Sequence, residues 1–116
     1  MPPEPIAGLA RLALARGALV EAMHLVADIV AHFDAGGTVD GTEDPLWIYL
    51  TCHEVLAAAH APRAAEFLHK SHAMLMQRAA PLSEAERETF LGNVPSHRAI
   101  VAAWEAAYPR NDEELS

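Results

Sequence analysis

Glu21, His24, Asp28 and His32 recur at spacings of three, four and four. On a helix they therefore share one side. Imidazole nitrogen and carboxylate oxygen both ligate zinc or iron, and helical bundles build such sites from residues spaced this way. A small metal-binding helical bundle using the arc His24, Asp28 and His32 is one reading of the pattern. The other is the polar back of an amphipathic helix, since Ala22, Val26, Ile29 and Phe33 form an apolar stripe on the same segment. A metal site also needs ligands from a facing helix, and none is legible. We adopt the polar back and expect neither metal nor cofactor.

The other reactive side chains resolve in the same direction. His69 and His72 form an HxxH pair without the glutamate of a metalloprotease helix. His72 shares its arc with Leu68 and Leu75, so it reads as a core histidine bonded to a neighbouring helix, its pKa lowered by burial. Cys52 and His53 are sequence neighbours, about 100° apart on a helix, a poor geometry for a thiolate–imidazolium pair. Cys52 lies on an apolar face and reads as a small hydrophobe. The loop "DAGGTVDGTED" offers Asp34, Asp40, Glu43 and Asp44 but lacks the alternating oxygens and closing glutamate of a calcium loop. With no GxxxxGK[ST] loop and no nucleophile–base pair, we expect no enzyme.

These residues must be carried by one domain. A chain of 116 residues supports a single modest core. The formal net charge is −8 and Lys70 is the only lysine, which argues against a nucleic-acid partner because phosphate recognition needs a basic face. The single cysteine excludes an internal disulfide and fits a cytoplasmic location. The start "MPPEPIAGLA" lacks the basic region of a signal peptide, and no apolar run reaches the length of a membrane span.

Period and punctuation predict six helices. The first runs from Pro5 to Arg16, with Ile6, Leu9, Leu12 and Ala13 inward, and closes at Gly17. The second, Ala18 to Ala35, ends at Gly36-Gly37. Asp44-Pro45 caps a third, Leu46 to His60, with Ile48, Tyr49, Cys52, Val55, Leu56 and Ala59 inward. A fourth runs from Pro62 or Arg63 to Ala79 around Ala64, Leu68, Leu75 and Ala79. Ser83 and Glu86 form a capping box for a short fifth helix. In "LGNVPSHR" Gly92 is expected to supply its closing turn, and Pro95 opens a sixth with Ile100, Val101, Trp104 and Tyr108 inward. The hairpins fall at about 5–36, 45–80 and 83–108 of a single domain over 1–110, followed by a charged tail at 111–116.

A shift of 43 residues lays Leu12 on Val55, Ala18 on Ala61, Ala22 on Ala65 and Leu25 on Leu68. The excess over the roughly 34 residues of a tetratricopeptide unit matches the Gly36–Asp44 loop. Ala10, Gly17, Ala22 and Ala65 mark points where paired helices can approach closely. The expected fold is all-α, a tetratricopeptide-like superhelical stack of about three antiparallel helix pairs.

The run from Asp44 to Ala79, "DPLWIYLTCHEVLAAAHAPRAAEFLHKSHAMLMQRA", is followed by "FLGNVPSHRAIVAAW", Phe90 to Trp104. Together they resemble the C-terminal tetratricopeptide-like region of bacterial STAND-type multidomain signalling ATPases and related regulators. The resemblance rests on Tyr49, Leu50, Thr51, Cys52, Pro62, Arg63 and above all on Asn93, Val94, Pro95, His97 and Arg98. It implies a scaffolding or sensing role. The chain lacks those relatives' nucleotide-binding loop, so the ATP chemistry does not follow.

We therefore expect a non-catalytic protein–protein interaction module. The first helix of each pair lines the concave side of such a stack. Arg11, Tyr49, His53, Glu54 and His60 are the expected contacts to a protein or peptide partner, and Trp47 is either an inter-hairpin contact or an anchor. Arg63, His97 and Arg98 sit at helix starts, where a cation is disfavoured, so a carboxylate from a neighbouring repeat or a partner is expected there. Apolar ends of a short stack make self-association through a terminal hairpin a further expectation.

Overall fold

The computed structural model describes residues 3–39, 42 and 44–109. All regular structure among them is helical: α1 (Pro3–Ala15), α2 (Leu19–Asp34), α3 (Pro45–Ala58), α4 (Ala64–Ala79), α5 (Glu84–Asn93) and α6 (Pro95–Ala107). Asp40, Glu43 and the tail at 111–116 lie outside the described residues.

Each helix ends where its sequence provides an ending. Gly17 has φ 77° and His60 φ 55°, both left-handed. At the first turn the amide of Ala18 bonds the Ala13 carbonyl at 2.8 Å and that of Gly17 bonds Leu14 at 3.0 Å. At the second, Ala61 bonds Leu56 at 2.8 Å and His60 bonds Ala57 at 3.0 Å. These are two copies of one helix ending, in which two otherwise orphaned carbonyls are satisfied by a left-handed residue and its successor, and α2 ends the same way, with Gly36 at φ 89° bonding Phe33 at 3.0 Å and Gly37 bonding His32 at 2.8 Å. Every residue of the second copy stands 43 positions after its counterpart. His60 there takes the left-handed position that a glycine fills at 17 and 36.

The hairpins α1–α2 and α3–α4 pack closely, and α3 also lies against α1 and α2. The third pair joins differently. Helix α6 packs on α4 and α3, whereas α5 touches α6 and only the edge of α4. Consequently α3 is covered on most of its circumference, and its buried residues include Leu46, Ile48, Leu50, Cys52, Val55 and Leu56. A helix apolar all round has its place inside.

The interior is two clusters rather than one continuous core, both reaching α3. Ile48, Cys52, Val55 and Leu56 join α1, α2 and Phe67. Leu46 and Leu50 instead meet Leu75 and Ile100. Helix α1 presents Ile6, Ala7, Ala10 and Ala13 to the first cluster, and its alanines let α2 approach at Ala22. Leu9 and Leu12, expected inward, are 46 % and 62 % exposed, because the close contact of the first hairpin uses the alanine face. Ala65, another expected contact point, is exposed as well.

Ser83 and Glu86 form the capping box, Ser83 Oγ accepting from the Glu86 amide at 3.2 Å and Glu86 Oε1 from the Ser83 amide at 3.0 Å. Gly92 stays inside α5 rather than closing it with a left-handed turn. Val94, extended at φ −94° and ψ 121°, is the single residue that ends α5 and opens α6, and Pro95 starts the new helix without needing a donor. His97 locks the junction. Its Nδ1–H donates to the Phe90 carbonyl at 2.8 Å, and the two rings lie 4.4 Å apart.

Candidate functional site

Where α1 crosses α3, four side chains form one polar cluster with an aromatic base. Arg11 donates from Nη1 to Thr51 Oγ1 at 3.0 Å and to Glu54 Oε1 at 2.5 Å. Its guanidinium lies 5.5 Å from the centre of the Trp47 ring, within the range of a cation–π contact. Thr51, fully buried, donates in turn to the Trp47 carbonyl at 2.8 Å. Trp47, Thr51 and Glu54 are spaced four and three apart, one side of α3. The side chain of Asp44 caps that helix by accepting the Trp47 amide at 3.1 Å, while the Asp44 amide donates to Glu4 at 3.1 Å and ties the starts of α1 and α3 together.

Two adjoining grooves share Arg11 and Trp47. One, near 490 Å³, runs along α1 past Gly8, Leu12 and Glu54. The other, near 390 Å³, continues past Asp44 to Val94, Pro95, Ser96 and Ala99 at the start of α6. Trp47 is half-buried, meeting α1 near Gly8 while lining both grooves, so it is an inter-hairpin contact and a candidate anchor at once.

Of the expected partner contacts, Arg11 and Glu54 lie together with Trp47, whereas Tyr49, His53 and His60 lie elsewhere. Tyr49 turns to the other side of α3, its ring 5.4 Å from Phe33 and 6.5 Å from Phe67. His53 Nδ1–H donates to the Ala64 carbonyl at 2.9 Å and joins α3 to the start of α4. His60 holds the left-handed turn. The rotation of α3 gives α1 the Trp47–Glu54 side and gives α2 and α4 the side of Tyr49 and His53. Thr51 and the Val94–Ser96 wall escaped the sequence reading; the spacing of Thr51 between Trp47 and Glu54 was the available signal.

A third groove, near 360 Å³ and almost wholly apolar, lies between α2 and the α3–α4 turn, lined by Met23, Ala27, Val30, Leu56 and Pro62. Its end is closed by Arg63, which is bidentate to Asp34 at 2.9 and 3.1 Å and also bonds Glu66 at 3.0 and 2.8 Å. The guanidinium holds both carboxyls below their ordinary range. A carboxylate of the neighbouring hairpin thus offsets the cation at the start of α4, whereas the His97 ring bonds the Phe90 carbonyl and meets no carboxylate among the described residues. The Arg98 side chain makes no hydrogen bond or ion pair with the described residues.

The metal arc does not assemble. His24 and Asp28 are exposed, and His32 Nε2 donates to the Thr38 carbonyl at 3.0 Å. Among the described residues no group of three or more His, Cys, Asp or Glu converges to hold an ion. Cys52 is fully buried and its thiol is pushed up to about 12 by desolvation, so it stays protonated in the core. His72 meets its neighbouring helix by stacking on Trp104 rather than by a hydrogen bond, and Tyr108, expected inward, is 43 % exposed. No described helix is long and apolar enough to cross a membrane.

Comparison with protein-family models, with curated proteins and with solved structures finds no match for this chain.

Proposed function

We propose that the chain is a non-catalytic protein–protein interaction module, a tetratricopeptide-like stack whose partner seats in the groove between α1, α3 and the start of α6. The observation that carries this reading is the continuity of two grooves across one half-buried cluster, Arg11, Trp47, Thr51 and Glu54. Arg11 is already neutralised by Glu54, so the groove offers no spare cation to an acidic ligand. Trp47 and Pro95 instead offer apolar surface, which suits an extended peptide inserting an apolar side chain between them. The 43-residue recurrence of the helix endings supports the stack, and the resemblance to STAND-type regulators supports a place as the sensing segment of a cytoplasmic signalling ATPase. Leu9, Leu12 and Val20, all exposed at the first hairpin, are the surface through which two copies would associate. The net charge of −8 supports a protein partner over nucleic acid.

Selection of peptides from a random display library on the purified chain tests this directly. Peptides that bind the wild type should lose at least tenfold in affinity to Trp47→Ala and to a Gly8→Leu variant that fills the groove. Recovered peptides indifferent to both changes would sink the groove. Light scattering that finds only monomer at every concentration would remove the self-association.

A further inference from the structure

Beyond that groove, the second half of α6 carries an aromatic pocket. Trp104, Glu105 and Tyr108 line a space near 390 Å³ together with His72 and Met76 of α4 and Leu91 of α5. The rings are held before any ligand arrives. His72 lies parallel to the Trp104 indole, at 3.7 Å and 4°. His69 meets the same indole edge-on at 4.9 Å, and its Nε2 is 2.6 Å from the Tyr108 hydroxyl. Trp104 and Tyr108 are themselves 4.6 Å apart.

The rings lie beside the buried seam of α6 rather than in it. The seam of α6 with α3 and α4 is filled by Leu46, Leu50, Leu75 and Ile100, and none of the four rings belongs to that cluster. Glu105 is exposed and its carboxylate makes no ion pair or hydrogen bond with the described residues, although it borders the pocket. Among the described residues no lysine or arginine lines the space. Aromatic faces carry negative potential, and a carboxylate beside them adds to it.

We propose that this pocket is a receptor for one alkylammonium group, held against the Trp104 and Tyr108 rings with Glu105 as its counter-ion. Because the rings are already pinned by His69 and His72, little side-chain freedom is lost on binding. Burial and the neighbouring His69 both disfavour a proton on His72, which keeps a competing positive charge out of the pocket at neutral pH.

The test is titration of the isotope-labelled chain at constant ionic strength, following the two indole N–H resonances. Choline is the probe and 3,3-dimethylbutan-1-ol its uncharged analogue. Choline should shift the Trp104 signal to saturation and leave that of Trp47 in place. The uncharged analogue should bind about tenfold more weakly, and Glu105→Gln should weaken choline by about three- to tenfold, the range expected of a cation in a partly exposed aromatic site. Glu105 is exposed, so the variant keeps its fold and the comparison holds. A blocked trimethyllysine that saturates at lower concentration than choline assigns the pocket to a partner's side chain; the reverse order assigns it to a free small cation. Linear shifts common to both indoles, equal binding of the uncharged analogue, or indifference to Glu105→Gln would each overturn the proposal.

Discussion

His60 offers the sharpest test of the left-handed helix ending, because a residue with a side chain occupies the position that glycine fills at 17 and 36. A Cβ in the left-handed region costs roughly 1–2 kcal/mol. Replacing it by glycine returns that strain but adds freedom to the unfolded chain, worth about 0.5–1 kcal/mol. His60 is exposed and its imidazole makes no hydrogen bond or ion pair with the described residues, so deletion of the ring removes little else. His60→Gly should therefore stabilise by about 0.5–1 kcal/mol, the difference of these two terms. The reciprocal change, Gly17→Ala, should destabilise by about the same amount, since no atom lies within 4 Å of the added Cβ and only the backbone responds. For a domain near this size each would move Tm by roughly 3–6 °C, in opposite directions. Thermal unfolding of both variants by circular dichroism reads the pair. A lowered Tm in His60→Gly, or no change in Gly17→Ala, would refute the claim that the two turns are one device used twice.

Four further outcomes follow from local geometry. Ser83→Ala removes the capping box and should cost about 1 kcal/mol, with faster amide exchange confined to α5. Ile100→Ala opens a cavity in the seam of α6 with α3 and α4 and should cost about 2–5 kcal/mol by urea unfolding. Gly8→Ala places a methyl at ordinary contact, 3.7 Å from the Trp47 ring, and should gain up to about 1 kcal/mol from helix propensity. His72 is disfavoured as a cation when folded, so it contributes stability above its ordinary value of 6.5 that is lost as pH falls below it; His72→Phe should flatten the fall in stability between about pH 7 and 5.

The helices were legible because their punctuation is chemical. Ser83 with Glu86, Asp44 with Pro45, and Val94 with Pro95 each mark a boundary that the structure keeps within two residues. What one sequence could not carry was rotation about each helix axis. Leu9 and Leu12 obey the apolar period of α1, yet the close contact runs along Ala7, Ala10 and Ala13, since small residues decide how near two backbones come. Tyr49 and Glu54 share a helix, but α3 is wrapped by four others and its sides serve different neighbours. The same limit hid the aromatic pocket: His69 and His72 are visible as a pair, as are Trp104 and Tyr108, but their meeting depends on α6, not α5, docking on α4. In the run from Asn93 to Arg98, His97 and Pro95 serve the helix junction.

The most direct test of the interaction surface is amide shift mapping with a peptide selected on this chain. With the partner seated between α1, α3 and α6, the largest changes should fall on Gly8, Arg11, Ser96, Ala99 and the Trp47 indole. Changes concentrated instead on Met23, Ala27 and Val30, in the apolar groove of α2, would contradict that placement and move the partner to the opposite side of the first hairpin pair.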